Sequence, residues 1–235
     1  MPNYSGPDII TAGLVLSLNS MDRNSYPGSG TTWYDLSGNG NNGTLYDFSG
    51  PGAGSTSGYD TNTGYMMFDR HLGGSDGTVN NRVVVPNSNT LDGVLCQNGM
   101  TIDYWFRETV YVCTAMTKWN DSWEVYYCSG LVFRTQGTGG TDMSAGVSTS
   151  AGTWRHLVAT HDGTTAKFYV NGVETMSTSN PVTNQNTTAN IAIGAYESGI
   201  YASYGALPIY RLYDRPLSYS EVLQNYNAQR TQFGV

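Results

Sequence analysis

Charge is scarce in this chain: Asp, Glu, Lys and Arg make up only 12 % of its 235 residues, and the eleven basic ones nowhere form a run. With a formal net charge of −7 it offers no clustered cations to neutralise phosphates, which excludes nucleic acid as a partner. Long apolar runs are missing too. No window approaches the ~18 residues that a membrane-spanning helix needs, so no membrane partner is expected. The opening Met1-Pro2-Asn3-Tyr4-Ser5-Gly6-Pro7-Asp8 has neither a basic nor an apolar segment, and no signal peptide is read there. Cysteine is limited to Cys96, Cys113 and Cys128, with no CxxC spacing. That argues against a zinc site or a disulfide framework and for buried thiols made in a reducing compartment.

Paired carboxylates are also absent. Glycoside hydrolysis needs two of them about 5–10 Å apart across the sugar. None of Glu108, Glu124, Glu174, Glu197 and Glu221 has an acidic residue two positions away. Asp121 and Glu124, three apart, fall on opposite faces of a strand. No enzyme activity is therefore expected. Of the histidines, His71 stands in a polar loop with Asp76, and His156 and His161, five apart, point to opposite faces. They form no metal site by spacing. Gly38-x-Gly40-x-x-Gly43 spells a phosphate-loop pattern but opens no helix, and it is set aside.

What the chain does have is glycine (29), tyrosine (18) and many Ser, Thr and Asn residues, the composition of short strands joined by tight turns. The organising stretch is Thr153–Glu174. In Trp154–His161, Trp154, His156, Val158 and Thr160 share one face and Leu157 and Ala159 the other, so the strand is buried on both sides. Asp162-Gly163-Thr164-Thr165 turns the chain into Ala166–Val170, and Asn171-Gly172 is a hairpin signal because both positions need positive φ. Further strands are read at Leu14–Leu18, Gly64–Phe68, Arg82–Pro86, Met100–Arg107, Val110–Thr117, Leu131–Thr135, Ala189–Gly194 and Ala206–Tyr213, about a dozen in all. One helix is predicted over 218–228, where Ser218-x-x-Glu221 forms a capping box.

These readings predict an all-β protein: a two-sheet antiparallel sandwich with one short C-terminal helix. The expected core is Leu16, Phe68, Ile102, Tyr104, Trp154, Val158, Phe168, Val170 and Ile193. Residues 1–12 read as an N-terminal arm and 13–235 as the domain. An arm with two prolines gains little by folding on itself, so contact with a neighbouring subunit is expected.

Two loops carry candidate sites. In Trp33–Gly43, Asp35, Asn39 and Asn41 supply oxygens that either converge on a hard cation or bond their own backbone as Asx turns. A single carboxylate is few for calcium, which takes about six to eight oxygens. Between the last two strands, Tyr196, Glu197, Ser198, Tyr201 and Tyr204 cluster. Tyrosine faces stack on pyranose C–H surfaces, but the same residues also serve packing and protein interfaces.

With these residues in view, the chain resembles the laminin-G-like, concanavalin A-like jelly-roll family. The pieces are Gly13-Leu14-Val15-Leu16, Trp33-x-Asp35-Leu36-Ser37-Gly38-Asn39-Gly40-Asn41-Asn42-Gly43, Met100–Trp105, Trp154–Gly172, and Tyr210–Ser218 with its capped helix. The resemblance implies a jelly roll from residue 13 onward that binds sugar or protein, and sometimes a structural calcium, which would fall at Asp35, Asn39 and Asn41. A narrower resemblance, in the short arm, Gly13–Leu16, Ser25–Leu45 and Glu221–Gly234, is to virion structural proteins of tailed phages, especially marine ones. It implies display on the virion surface, other virion proteins and sister subunits as partners, and a host-surface glycan as ligand.

Overall fold

A computed structural model describes residues 7–48, 58–68, 81–108, 114–118, 122–127, 131–144, 152–185 and 188–235. Expectations placed on residues 1–6, His71, Asp76, Cys113, Asp121 and Cys128 lie outside them. In chain order the strands are β1 (Leu14–Asn19), β2 (Thr32–Trp33), β3 (Gly43–Tyr46), β4 (Gly58–Asp60), β5 (Tyr65–Phe68) and β6 (Arg82–Val85). A single helical turn, α1 (Asn89–Asp92), precedes β7 (Met100–Glu108), β8 (Thr114–Lys118), β9 (Trp123–Tyr127), β10 (Leu131–Thr135) and β11 (Asp142–Ser144). Then come β12 (Arg155–His161), β13 (Thr165–Val170), β14 (Val173–Ser179), β15 (Ile191–Ile193), β16 (Gly205–Tyr213) and the helix α2 (Tyr219–Gln229).

These sixteen strands form two antiparallel sheets. The first runs β14-β13-β12-β7-β16-β5-β4, with β1 also on β16, and the second β11-β10-β9-β8-β15-β6-β3-β2. The jelly-roll sandwich expected from the sequence is what folds. The count exceeds a dozen because β2, β3, β4 and β11 are two to four residues long, too short to show alternation. β9 is longer, but it carries Glu124 among its apolar residues.

The turn chemistry is as read. Asp162 Oδ1 accepts from the Thr164 and Thr165 amides at 2.9 and 2.7 Å. Asn171 and Gly172, at φ 51° and 77°, close the two-residue loop between paired Val170 and Val173. Ser218 caps α2, accepting from the Glu221 amide while the Glu221 carboxylate takes the Ser218 amide.

Leu16, Phe68, Ile102, Tyr104, Phe168 and Ile193 meet between the sheets, with Val170 only partly buried at the margin. Trp154 and Val158 are buried elsewhere. They lie on the outer face of the first sheet, Trp154 with Trp105 and Phe233, and Val158 with Tyr213 and Val222. The reason is α2 and the turn after it, Arg230–Phe233, which roof that face and give it a second apolar layer.

Residues 8–12 of the expected arm bond to the body of the chain. The Ile10 amide donates to Asn225 Oδ1 at 2.8 Å, 215 positions away, and the Ile10 carbonyl accepts from the Tyr213 hydroxyl at 3.0 Å. Gln224 and Arg215 donate to the carbonyls of Asp8 and Ala12. The segment does fold onto its own chain, because side chains from α2 and the end of β16 supply the bonds that a short polar stretch cannot make by itself.

Candidate functional site

Alternation along β9 and β10 separates two sets of side chains. Val125 and Phe133 point between the sheets, so Glu124, Tyr126 and Arg134 stand on the outer face of the second sheet. Paired β11 adds Asp142 opposite Arg134. The Arg134 guanidinium is fully engaged there. Its Nε and one terminal nitrogen fork onto the two Asp142 oxygens at 2.6 and 2.9 Å. The other terminal nitrogen reaches Glu124 Oε2 at 3.3 Å, and its carbon lies 4.7 Å above the Tyr126 ring. This fork holds the Asp142 carboxyl below its ordinary range against the opposing effect of burial. Burial, then the bond to Asp142, pushes the Tyr126 phenol up to about 12.

Across this face folds the loop 194–204 between β15 and β16. Tyr196 donates to Glu124 Oε2 at 2.9 Å, and burial followed by that carboxylate drives its own pKa upward. The Glu197 carbonyl accepts from Arg82 Nε at 2.7 Å, and its carboxylate accepts from Asn190 Nδ2 at 2.7 Å. At the neck, Gly194 has φ 82° and lies so close to Phe68 that a Cβ would sit 2.1 Å from the ring. Only glycine lets the loop leave the core there. Tyr201 sits near the tip, 59 % exposed, its ring edge-on to Tyr196 with centroids 5.1 Å apart. It is one of four non-glycine residues at positive φ among those described, at 55°.

The sequence-predicted cluster is thus brought together in part. Tyr196, Glu197 and Tyr201 share one anchored loop, while Tyr204 is half-buried where the chain enters β16. Glu124, Tyr126, Arg134 and Asp142 were missed. The signal was present in Glu124 and Arg134, polar residues interrupting apolar strands, but their pairing appears only once β9 and β10 are placed in register.

The Asp35 loop resolves differently. Asp35 Oδ1 accepts from the amides of Ser17 and Ser37, and Oδ2 from the Ser37 hydroxyl and the Asn41 amide. Four donors occupy its lone pairs. Asn39 donates to Leu14 O, and buried Asn41 donates to Val15 O and accepts from Ser88 Oγ. The three side chains thereby tie the loop to β1 and the α1 entry. Among the described residues, no group of three or more His, Cys, Asp or Glu side chains is placed to hold a metal ion. The described histidines are packed: His156 Nε2 lies 3.2 Å from Asp103, and His161 donates from Nε2 to the Asn180 carbonyl while Nδ1 accepts from the Gly163 amide. Cys96 is buried, and burial pushes its thiol up to about 12.

No curated protein matches the chain by sequence. Solved structures do match it by fold. The binding domain of Paraclostridial Mosquitocidal Protein 1 superposes with a TM-score of 0.63 at 18 % identity, over 92 % of this chain and 52 % of that one. The binding domain of botulinum neurotoxin DC, solved with rat synaptotagmin II, gives 0.65 at 14 % identity, over 93 % and 52 %. This chain therefore spans about half the length of those domains. Domain 4 of AbnA, an extracellular GH43 arabinanase from Geobacillus stearothermophilus solved with arabinotriose, gives 0.60 at 18 % identity, over 92 % and 98 %. Most of these neighbours are binding domains. The sequence profile of the concanavalin A-like lectin/glucanases superfamily matches residues 76–223, more than half of the chain, and the chain belongs to that superfamily.

Proposed function

We propose that the chain is a non-enzymatic, lectin-like binding domain whose 194–204 loop takes a glycan, carried as a structural component of a virion. Tyr201 is the observation that carries the glycan reading. It is a large aromatic ring left in water at positive φ, on a loop otherwise tied to Glu124, Arg82 and Asn190. Backbone strain persists where the surroundings over-determine it, and such positions cluster at ligand contacts. A fixed tyrosine face with amide and carboxylate groups nearby suits the C–H face and hydroxyls of a sugar. The arabinanase domain solved with arabinotriose supports this ligand class on the same fold. The carboxylates support binding over hydrolysis. Glu124 and Asp142 are both paired with Arg134, so neither carboxylate is left free to serve as acid or nucleophile.

Glycan-array screening of the isolated chain, followed by calorimetry on the hits, tests the ligand. Tyr201→Gly removes the ring and relieves the positive φ together, so the fold is not at risk. It is expected to weaken binding roughly tenfold or more, with thermal stability held within about 0.5 kcal/mol. Wild-type affinity in this variant would remove the site, and a silent array would remove the glycan. The virion part rests on the tailed-phage resemblance of the arm, Ser25–Leu45 and Glu221–Gly234. The chain is expected in the mass spectrum of purified particles, and its absence there would end that reading.

A further inference from the structure

A second concavity lies on the opposite sheet. Thr160 of β12 and Lys167 and Tyr169 of β13 floor a cleft of about 360 Å³, walled by the segment from Arg215 to Glu221 with Tyr219 at its lip. That size falls within the roughly 300–1,000 Å³ of small-molecule sites. The cleft's two cations are each paired, and Asp162, which also lines it, accepts from the Thr164 and Thr165 amides. Lys167 Nζ is 3.2 Å from Glu174, and Arg215 is 2.6 Å from Glu221. The first turn of α2 is closed by its own capping box, so its amides are not offered to an anion. A phosphate or an acidic peptide therefore finds no net attraction here.

The cleft offers the exposed Tyr219 ring and the hydroxyls of Thr165 and Ser218 instead. Tyr169 and Tyr219 have ring centroids 6.4 Å apart, tilted by 34°, and Tyr219 is 53 % exposed. Tyr169 is 2 % exposed and closes the cleft from below, within the apolar layer it shares with Val158 and Tyr213. Tyr219 thus stands as an exposed ring beside hydroxyl groups and charged groups that already have partners.

We propose that the cleft between Tyr169 and Tyr219 is a second site for a neutral saccharide unit, on the sheet opposite the Tyr201 loop, making the domain bivalent. The proposal shares only its ligand class with the function proposed above. The test is an amide-resolved NMR titration of the full chain with methyl glycosides of glucose, galactose, mannose and N-acetylglucosamine. The Thr165, Lys167 and Tyr219 amides are expected to shift with one of these probes. Tyr219→Ala is expected to raise the dissociation constant read at those amides roughly tenfold, while Tyr219→Phe keeps it near wild type. Shifts confined to the Tyr201 loop would overturn the second site and leave the first. Shifts confined to the cleft would do the reverse. No shift with any probe would overturn the second site, and the glycan array then decides the first on its own. Equal binding by Tyr219→Ala and wild type would also overturn the second site, because the Tyr219 ring would not be the contact.

Discussion

Replacing Asp103 by alanine is expected to cost about 3–5 kcal/mol, a large part of a typical domain's stability. Asp103 lies on the outer face of β7, is fully buried under α2, and joins three elements. Its Oδ1 accepts from Arg211 of β16 at 3.0 Å and lies 3.2 Å from His156 of β12. Its Oδ2 accepts from Asn225 of α2 at 2.8 Å, and Asn225 in turn bonds the Tyr213 hydroxyl and the Ile10 amide. Alanine would leave the Arg211 guanidinium, 2 % exposed, without its carboxylate, and a buried unpaired charge is the costly outcome. Urea denaturation measures the loss. A change below about 1 kcal/mol would mean that water enters and solvates Arg211, and would sink the argument.

The same carboxylate sets a pH dependence. Burial pushes its pKa up, but His156, Arg211 and Asn225 together outweigh burial and hold it at about 2. An unfolded aspartate titrates near ~3.9. A depressed folded pKa gives stability that is complete above the unfolded value and lost as pH falls through the folded one. Stability is therefore expected to fall between about pH 4 and pH 2. Glu221, held at about 2 by its bond to Arg215, acts in the same direction, though its exposure to solvent weakens the effect. Asp103→Asn is expected to flatten the slope in that window, and an unchanged slope would assign acid unfolding to other groups.

The second large effect is expected from Trp105→Ala, also about 3–5 kcal/mol. Trp105 shares the outer face of β7 with Asp103 and is fully buried. Its ring stacks on Phe233 at 4.1 Å and faces Tyr226 at 6.0 Å, while its indole N–H donates to Gln229 Oε1 at 3.1 Å. One side chain thus fastens both α2 and the turn that follows it. Truncation leaves a cavity under the roof, so hydrogen exchange of the α2 amides is expected to accelerate ahead of those in the sheets. If protection in α2 falls only in step with global unfolding, the roof is held chiefly by the Asp103 network. Because the two residues share partners in α2, their effects are expected to couple rather than add.

Much of this architecture is legible locally. Two-sided burial of Trp154–His161, the Asn171-Gly172 turn and the Ser218–Glu221 box are each decided by residues within a few positions of one another. Alternation, positive φ and capping act over that range, so strand, turn and helix could be read from the chain, and with them the all-β sandwich. The Tyr196–Tyr201 cluster was legible for a similar reason, being one short loop. What the chain could not show is which distant residue stands opposite which. Glu124 meets Tyr196 across 72 positions, Asp103 meets Arg211 across 108, and Ile10 meets Asn225 across 215. Nothing in the neighbourhood of Asp35 says that one of its donors is the Ser17 amide of β1. Nor does the apolar outer face of β12 say that a C-terminal helix will cover it. Local preferences are settled among near neighbours in sequence. Charge pairing, the roof over the first sheet and the position of Tyr201 were decided only by sheet register and loop closure, once the burial of two apolar faces had chosen one arrangement of the strands.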